Sequence, residues 1–111
     1  MPSDHPFAVL YAFHVKPGLQ DDFILSWTEL TQLIYESEGS CGSRLHRSDD
    51  HLYIAYAAWP SRQLWVEASD GEQVKDDATE EALMAAREKM RECCSHIETL
   101  HTLETVTDLL E

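Results

Sequence analysis

Two runs of alternating residue character, Cys41 to Arg47 and Leu52 to Trp59, flank the polar cluster Ser48-Asp49-Asp50-His51. Polar clusters of this kind close β-hairpins. Pro60 removes a backbone donor and ends the second run at the point where Ser61 can start a helix. A strand pair that feeds directly into a helix commits the middle of the chain to an α+β arrangement.

The flanking segments extend that pattern. Phe7 to Val15 is apolar on both alternating faces, as a central strand covered on two sides should be. Lys16-Pro17-Gly18 breaks it. From Gln20 to Ser37, Phe23, Trp27, Leu30 and Ile34 fall at i, i+4, i+7 and i+11, the stripe of an amphipathic helix that Gly39 is placed to end. Ser61 should cap a short helix through Ala68, followed by a polar loop from Ser69 to Asp77. A second long helix is expected from Thr79 to His96, with Leu83, Ala86, Met90 and a cysteine on one face. Alternation from Thr102 to Leu110 predicts the last strand.

The order β-α-β-β-(short α)-α-β fits a ferredoxin-like split βαβ sheet in the order 4-1-3-2, with both long helices on one face. The strands carry large apolar residues on both sides, so the bare face is expected to pack on its counterpart in a second subunit, a homodimer of two facing sheets.

Composition narrows the function classes. The chain's 111 residues suit a single domain spanning residues 1–111, and oligomerisation would add to its modest core. With 21 Asp+Glu against 8 Lys+Arg the formal charge is −13, which repels phosphate backbones and anionic lipids. Neither a nucleic-acid nor a membrane partner is expected. No apolar run approaches the roughly 18 to 20 residues of a membrane span, and Met-Pro-Ser-Asp-His-Pro has no secretory signal character, so a cytoplasmic location is expected. Three cysteines, Cys41, Cys93 and Cys94, give no CxxC spacing and support neither a disulfide framework nor a zinc knuckle. Cys93, Cys94, His96 and His101 do not converge by helical spacing, and the four scattered glycines form no phosphate loop. No metal is expected.

Val15-Lys16-Pro17-Gly18 after strand one, Gly42-Ser43-Arg44-Leu45-His46-Arg47 in strand two and Trp59-Pro60-Ser61 after strand three carry a resemblance. Along nearly its whole length the chain resembles the antibiotic biosynthesis monooxygenase family of dimeric α/β barrel proteins. The resemblance implies a barrel closed between two subunits. The family it resembles includes cofactor-independent quinol and polyketide oxygenases, haem-degrading enzymes and many members without assigned activity, so the resemblance implies the fold more narrowly than the chemistry. The haem-degrading branch uses an Asn on strand one, a Trp after strand three and a His beyond it. Those places fall near Tyr11, Ala68 and Ala78 here, and no histidine lies between His51 and His96, so that branch is disfavoured. Trp59 is the family position that transfers directly, and no cofactor is expected.

A two-residue tip at Asp49-Asp50 would set His46 opposite Tyr53 and Arg44 opposite Ala55. Arg44, His46, Tyr53, Ala55, Ala57 and Trp59 would then share one face, with Leu45, Leu52, Ile54, Tyr56 and Ala58 on the other. Small alanines between a tyrosine and a tryptophan leave room for a ligand, while Arg and His offer groups that remove a proton or hold an oxyanion. The expected site has His46 as base, Arg44 and Tyr53 as oxyanion partners, and Tyr11, His14, Trp59 and Trp65 as substrate contacts. His14 should approach Tyr53 and His46.

The leading reading is a cofactor-free monooxygenase acting on a small aromatic, quinol or polyketide-like molecule. A non-catalytic ligand-binding or dimerisation module is the alternative, and isomerase or decarboxylase chemistry could use the same groups. A closed cavity touching His46 and Tyr53 would favour the enzyme, whereas an interior filled by Trp27, Trp59 and Trp65 would favour the module.

Overall fold

The computed structural model describes residues 6–69, 75–107 and 109. Its elements are β1 (Phe7–Val15), α1 (Gln20–Glu38), β2 (Gly42–Arg47), β3 (Leu52–Trp59), α2 (Arg62–Ser69), α3 (Asp77–Glu92) and β4 (Cys94–Glu104). The sheet order is β2-β3-β1-β4, and every neighbouring pair is antiparallel. This is the expected ferredoxin-like α+β fold. Within one chain the sheet is open and not closed into a barrel.

The central strand is covered as its two apolar faces demand. Phe13, Phe23, Leu30, Tyr53, Ala55, Leu83, Ala86 and Met90 form one buried cluster between the sheet and the pair α1 and α3. Phe7, Val9, Ala57, Trp59 and Ala68 form a second under α2. The odd-numbered residues of β1 and β3 therefore face the helices, because a strand sends successive side chains to opposite sides.

Local chemistry fixes the element ends. Gly39 closes α1 in the left-handed conformation, φ 84°. A Cβ there would lie 2.9 Å from Leu64 Cδ2, so both backbone conformation and packing favour glycine. Ser61 Oγ accepts from the Leu64 N–H at 3.1 Å and caps α2 as expected. Asp76 Oδ1 accepts from the Thr79 N–H at 2.7 Å and caps α3.

Two expectations are corrected. The hairpin tip holds three residues, Asp49 to His51, because Asp49 Oδ1 accepts from the backbone N–H groups of both His51 and Leu52 at 2.9 Å. Ser48 N–H bonds to the Leu52 carbonyl, and the register becomes Arg47 with Tyr53, His46 with Ile54, Leu45 with Ala55 and Arg44 with Tyr56. A slip of one residue sends every β2 side chain to the other face. The last strand also begins earlier than expected, at Cys94, and α3 ends at Glu92. No glycine or proline marks that boundary. Cys93 caps the helix with its N–H on Met90 O, and pairing with β1 overrides the helical pattern. Asp108 and Leu110 of the expected strand, and residues 70–74 of the expected loop, lie outside the described residues.

Candidate functional site

A cavity of about 490 Å3 lies between the helix-facing side of the sheet and the helices. From β1 and β3 it takes Tyr11, Phe13, Ala55, Ala57 and Trp59; from α1 it takes Trp27, Leu30, Thr31, Ile34 and Glu38. Trp65 and Ala68 come from α2, Arg87, Met90 and Arg91 from α3, and Ser43 from β2. Ala55 and Ala57 contribute little side-chain volume between Tyr11 and Trp59, and that deficit leaves the space. A cavity this size accommodates a fused-ring ligand.

The wall at Tyr11 is built rather than incidental. Trp65 Nε1 donates to Tyr11 Oη at 2.8 Å, joining α2 to the central strand. Phe7 packs on Trp65 with ring centroids 5.9 Å apart, which fixes the indole. Burial raises the Tyr11 phenol above its ordinary pKa, while the Trp65 hydrogen bond and the positive charge of Arg87 pull it back in part. Tyr11 therefore stays a neutral hydroxyl at the cavity wall. Trp59 is 5% exposed, and its buried Nε1 has no acceptor among the described residues. An unmet donor of this kind costs about 1 to 3 kcal/mol.

Sequence patterns did not reveal the ionic end of the cavity. Glu38 is the last residue of α1, buried to 2% exposure, where the helix dipole already places negative charge. Lys75 Nζ lies 2.9 Å from Glu38 Oε2, and Arg87 Nη2 donates to Glu38 Oε1 at 3.2 Å. Lys75 also lies 3.6 Å from Glu80 Oε1. The two cations offset the helix-end carboxylate and tie α1 to α3. The available signal was Arg87 and Arg91 at i, i+4 on a helix of a strongly acidic chain, beside the apolar positions Ala86 and Met90.

The expected site residues divide. Tyr11, Trp59 and Trp65 line the cavity. Tyr53 is buried in the helix-side core against Phe23, ring centroids 5.2 Å apart. Arg44 and His46 face the opposite side of the sheet because of the three-residue tip, so the expected one-sided group of Arg44, His46 and Tyr53 does not form. Those three residues border only an open groove between α1 and the edge strand β2. His14 is also on the uncovered face, opposite His96, with its ring 5.4 Å from that of His96. Glu98 lies 3.6 Å from the Nε2 atoms of both. No histidine lines the cavity among the described residues. Cys93 and Cys94 are buried; burial raises the Cys93 thiol and pushes Cys94 up to about 11, which makes both poor nucleophiles.

Comparison with known proteins agrees with the fold and with the earlier resemblance. The family model for antibiotic biosynthesis monooxygenase matches residues 6–79, more than half of the 111-residue chain. No curated protein matches in sequence. Among solved structures, the chain is similar to SnoaB, a cofactor-independent oxygenase from Streptomyces nogalater. The TM-score is 0.71 at 16% identity, covering 98% of this chain and 100% of that one. It is similar to Rv0793 from Mycobacterium tuberculosis, TM-score 0.66 at 13% identity, covering 94% and 98%. A conserved protein from Methanosarcina mazei Go1 gives 0.67 at 13% identity, covering 93% and 95%. At these identities the likeness is one of fold. The match to the family model makes the chain a member of the antibiotic biosynthesis monooxygenase family.

Proposed function

We propose that the protein is a monooxygenase that oxidises a fused-ring phenol or quinol-like substrate with dioxygen, without a cofactor, in the cavity between sheet and helices. The observation that carries this reading is the cavity wall itself: an aromatic-lined space with Trp65 and Tyr11 locked together at 2.8 Å and Arg87 close enough to act on the Tyr11 phenol. Family membership and the structural likeness to a cofactor-independent oxygenase support it.

In this reading the oxyanion role passes to Tyr11 and Arg87, because Arg44, His46 and Tyr53 do not line the cavity. A substrate hydroxyl loses its proton to water at the cavity mouth, favoured by the positive arginine. The anion gives one electron to dioxygen, and the substrate radical and superoxide then combine to form a carbon–oxygen bond. The peroxide takes up a proton. At a carbon that keeps a hydrogen it then loses water, leaving a carbonyl; the net change is CH2 plus O2 to C=O plus H2O. Tyr11 and Arg87 stabilise the anion before and after electron transfer. Oxygen uptake by metal-stripped protein with an anthrone tests the proposal. Saturable uptake is expected, with Trp65→Ala lowering kcat/KM by about tenfold or more. Uptake no faster than the protein-free rate would refute it.

The second reading, a non-catalytic ligand-binding module, is favoured by the lack of a histidine among the described cavity residues. Anthrone binding without oxygen uptake would select it.

The uncovered sheet face is proposed as a homodimer interface. It presents Leu10, Ile54 and Tyr56, half-buried, with Leu103 38% exposed, and among the described residues the buried clusters under the helices lie on the opposite side of the sheet. Two such faces would form the barrel that one chain leaves open. Among the described residues no helix is long and apolar enough to cross a membrane.

A further inference from the structure

The cavity's charge is opposite in sign to the chain that encloses it. The whole sequence carries 21 acidic and 8 basic residues, yet Arg87 and Arg91, one turn apart on α3, both line the cavity. Lys75, 4% exposed, stands behind them on Glu38. The ion-paired group of Lys75 and Arg87 with Glu38 and Glu80 is neutral, whereas the charged residues that line the cavity, Glu38, Arg87 and Arg91, leave its wall one unit positive. Both Glu38 oxygens are held by Lys75 and Arg87, so the carboxylate that lines the cavity is screened from a ligand. Arg91 forms no ion pair among the described residues, and its position one turn beyond Arg87 puts it at the solvent-exposed end of the same wall. A guanidinium at the rim of an apolar pocket matches a planar oxyanion bidentately and discriminates against a neutral group of the same shape.

We propose that the substrate is an aromatic carboxylic acid, its rings against Tyr11, Trp59 and Trp65 and its carboxylate held at the mouth by Arg91. This rests on the cavity being the substrate site, and it adds a charged second anchor to the aromatic one. The anchor sets orientation: with the carboxylate fixed on α3, the far ring is directed towards the Tyr11–Trp65 pair. An excess of negative charge over the rest of the surface repels anions at long range, so selectivity depends on this local cluster.

The test compares 2-naphthoate with 2-naphthamide, which share rings and shape and differ in charge at pH 7, by isothermal titration of the wild type and Arg91→Gln. Arg91 is exposed, so the variant should fold, and circular dichroism checks that it does. The proposal predicts that naphthoate binds about tenfold more tightly than naphthamide, that Arg91→Gln removes most of the difference, and that added salt narrows it. Equal affinities would overturn the anionic anchor and leave the aromatic cavity standing. An unchanged preference in Arg91→Gln would overturn the assignment to Arg91. Binding of neither compound would overturn the anchor and the cavity reading together.

Discussion

The hydrogen bond from Trp65 to Tyr11 is the contact on which the site depends most. Trp65→Phe keeps an aromatic ring there but removes the donor and part of the indole's packing, so it should cost about 1 kcal/mol or more in chemical denaturation. It should also raise the Tyr11 pKa further, because a donor to the phenolate favours the charged form; tyrosinate absorbance against pH will show the shift. Glu38 is the larger structural commitment. Glu38→Ala leaves Lys75 buried without its carboxylate and should destabilise the fold by on the order of 3 kcal/mol, measured in urea; Arg87, a third exposed, adds less. The sequence shows a glutamate before a helix-ending glycine and nothing more, because the cations that explain it lie 37 and 49 positions away. Cys93 and Cys94 should resist alkylation at neutral pH, since burial holds both as thiols.

At the scale of elements, periodicity in the sequence located β1, α1, the hairpin and α2, while the end of α3 and the start of β4 were obscured by the absence of a breaker residue. Face assignment failed at one place for one reason. A two-residue and a three-residue hairpin tip differ by a single backbone hydrogen-bond pattern, set by the Asp49 carboxylate, and that choice moves Arg44 and His46 across the sheet. Tyr11 and Trp59 share the cavity wall because β1 and β3 keep their register regardless of the tip, and Trp65 joins them from α2. Element ends also carry testable consequences. Gly39→Ala should lower stability by about 1 kcal/mol or more, through the left-handed backbone and the Leu64 contact. Hydrogen bonds from the Thr79 side chain and N–H hold the Asp76 carboxyl below its ordinary range. A depressed acid contributes stability above its unfolded-state pKa and loses it as pH falls through the folded value. The contribution from α3 capping should therefore be constant near neutrality and decline below about pH 4, a decline that Asp76→Asn removes.

At the scale of the whole molecule, the sheet separates two chemistries. The helix side encloses an aromatic cavity with arginines at its mouth, and the uncovered side carries His14, His46, His96 and His101 around half-buried aliphatic residues. If two copies pair through the uncovered face, Ile54→Asp should shift the protein to monomer in sedimentation velocity while leaving the cavity intact. The central claim is that ligand enters the helix side. A crystal structure with a bound naphthoic acid tests it most directly. The account predicts the rings between Tyr11, Trp59 and Trp65 with the carboxylate towards Arg91; rings lodged on the uncovered face beside His14 and His46, with the cavity empty, would contradict it.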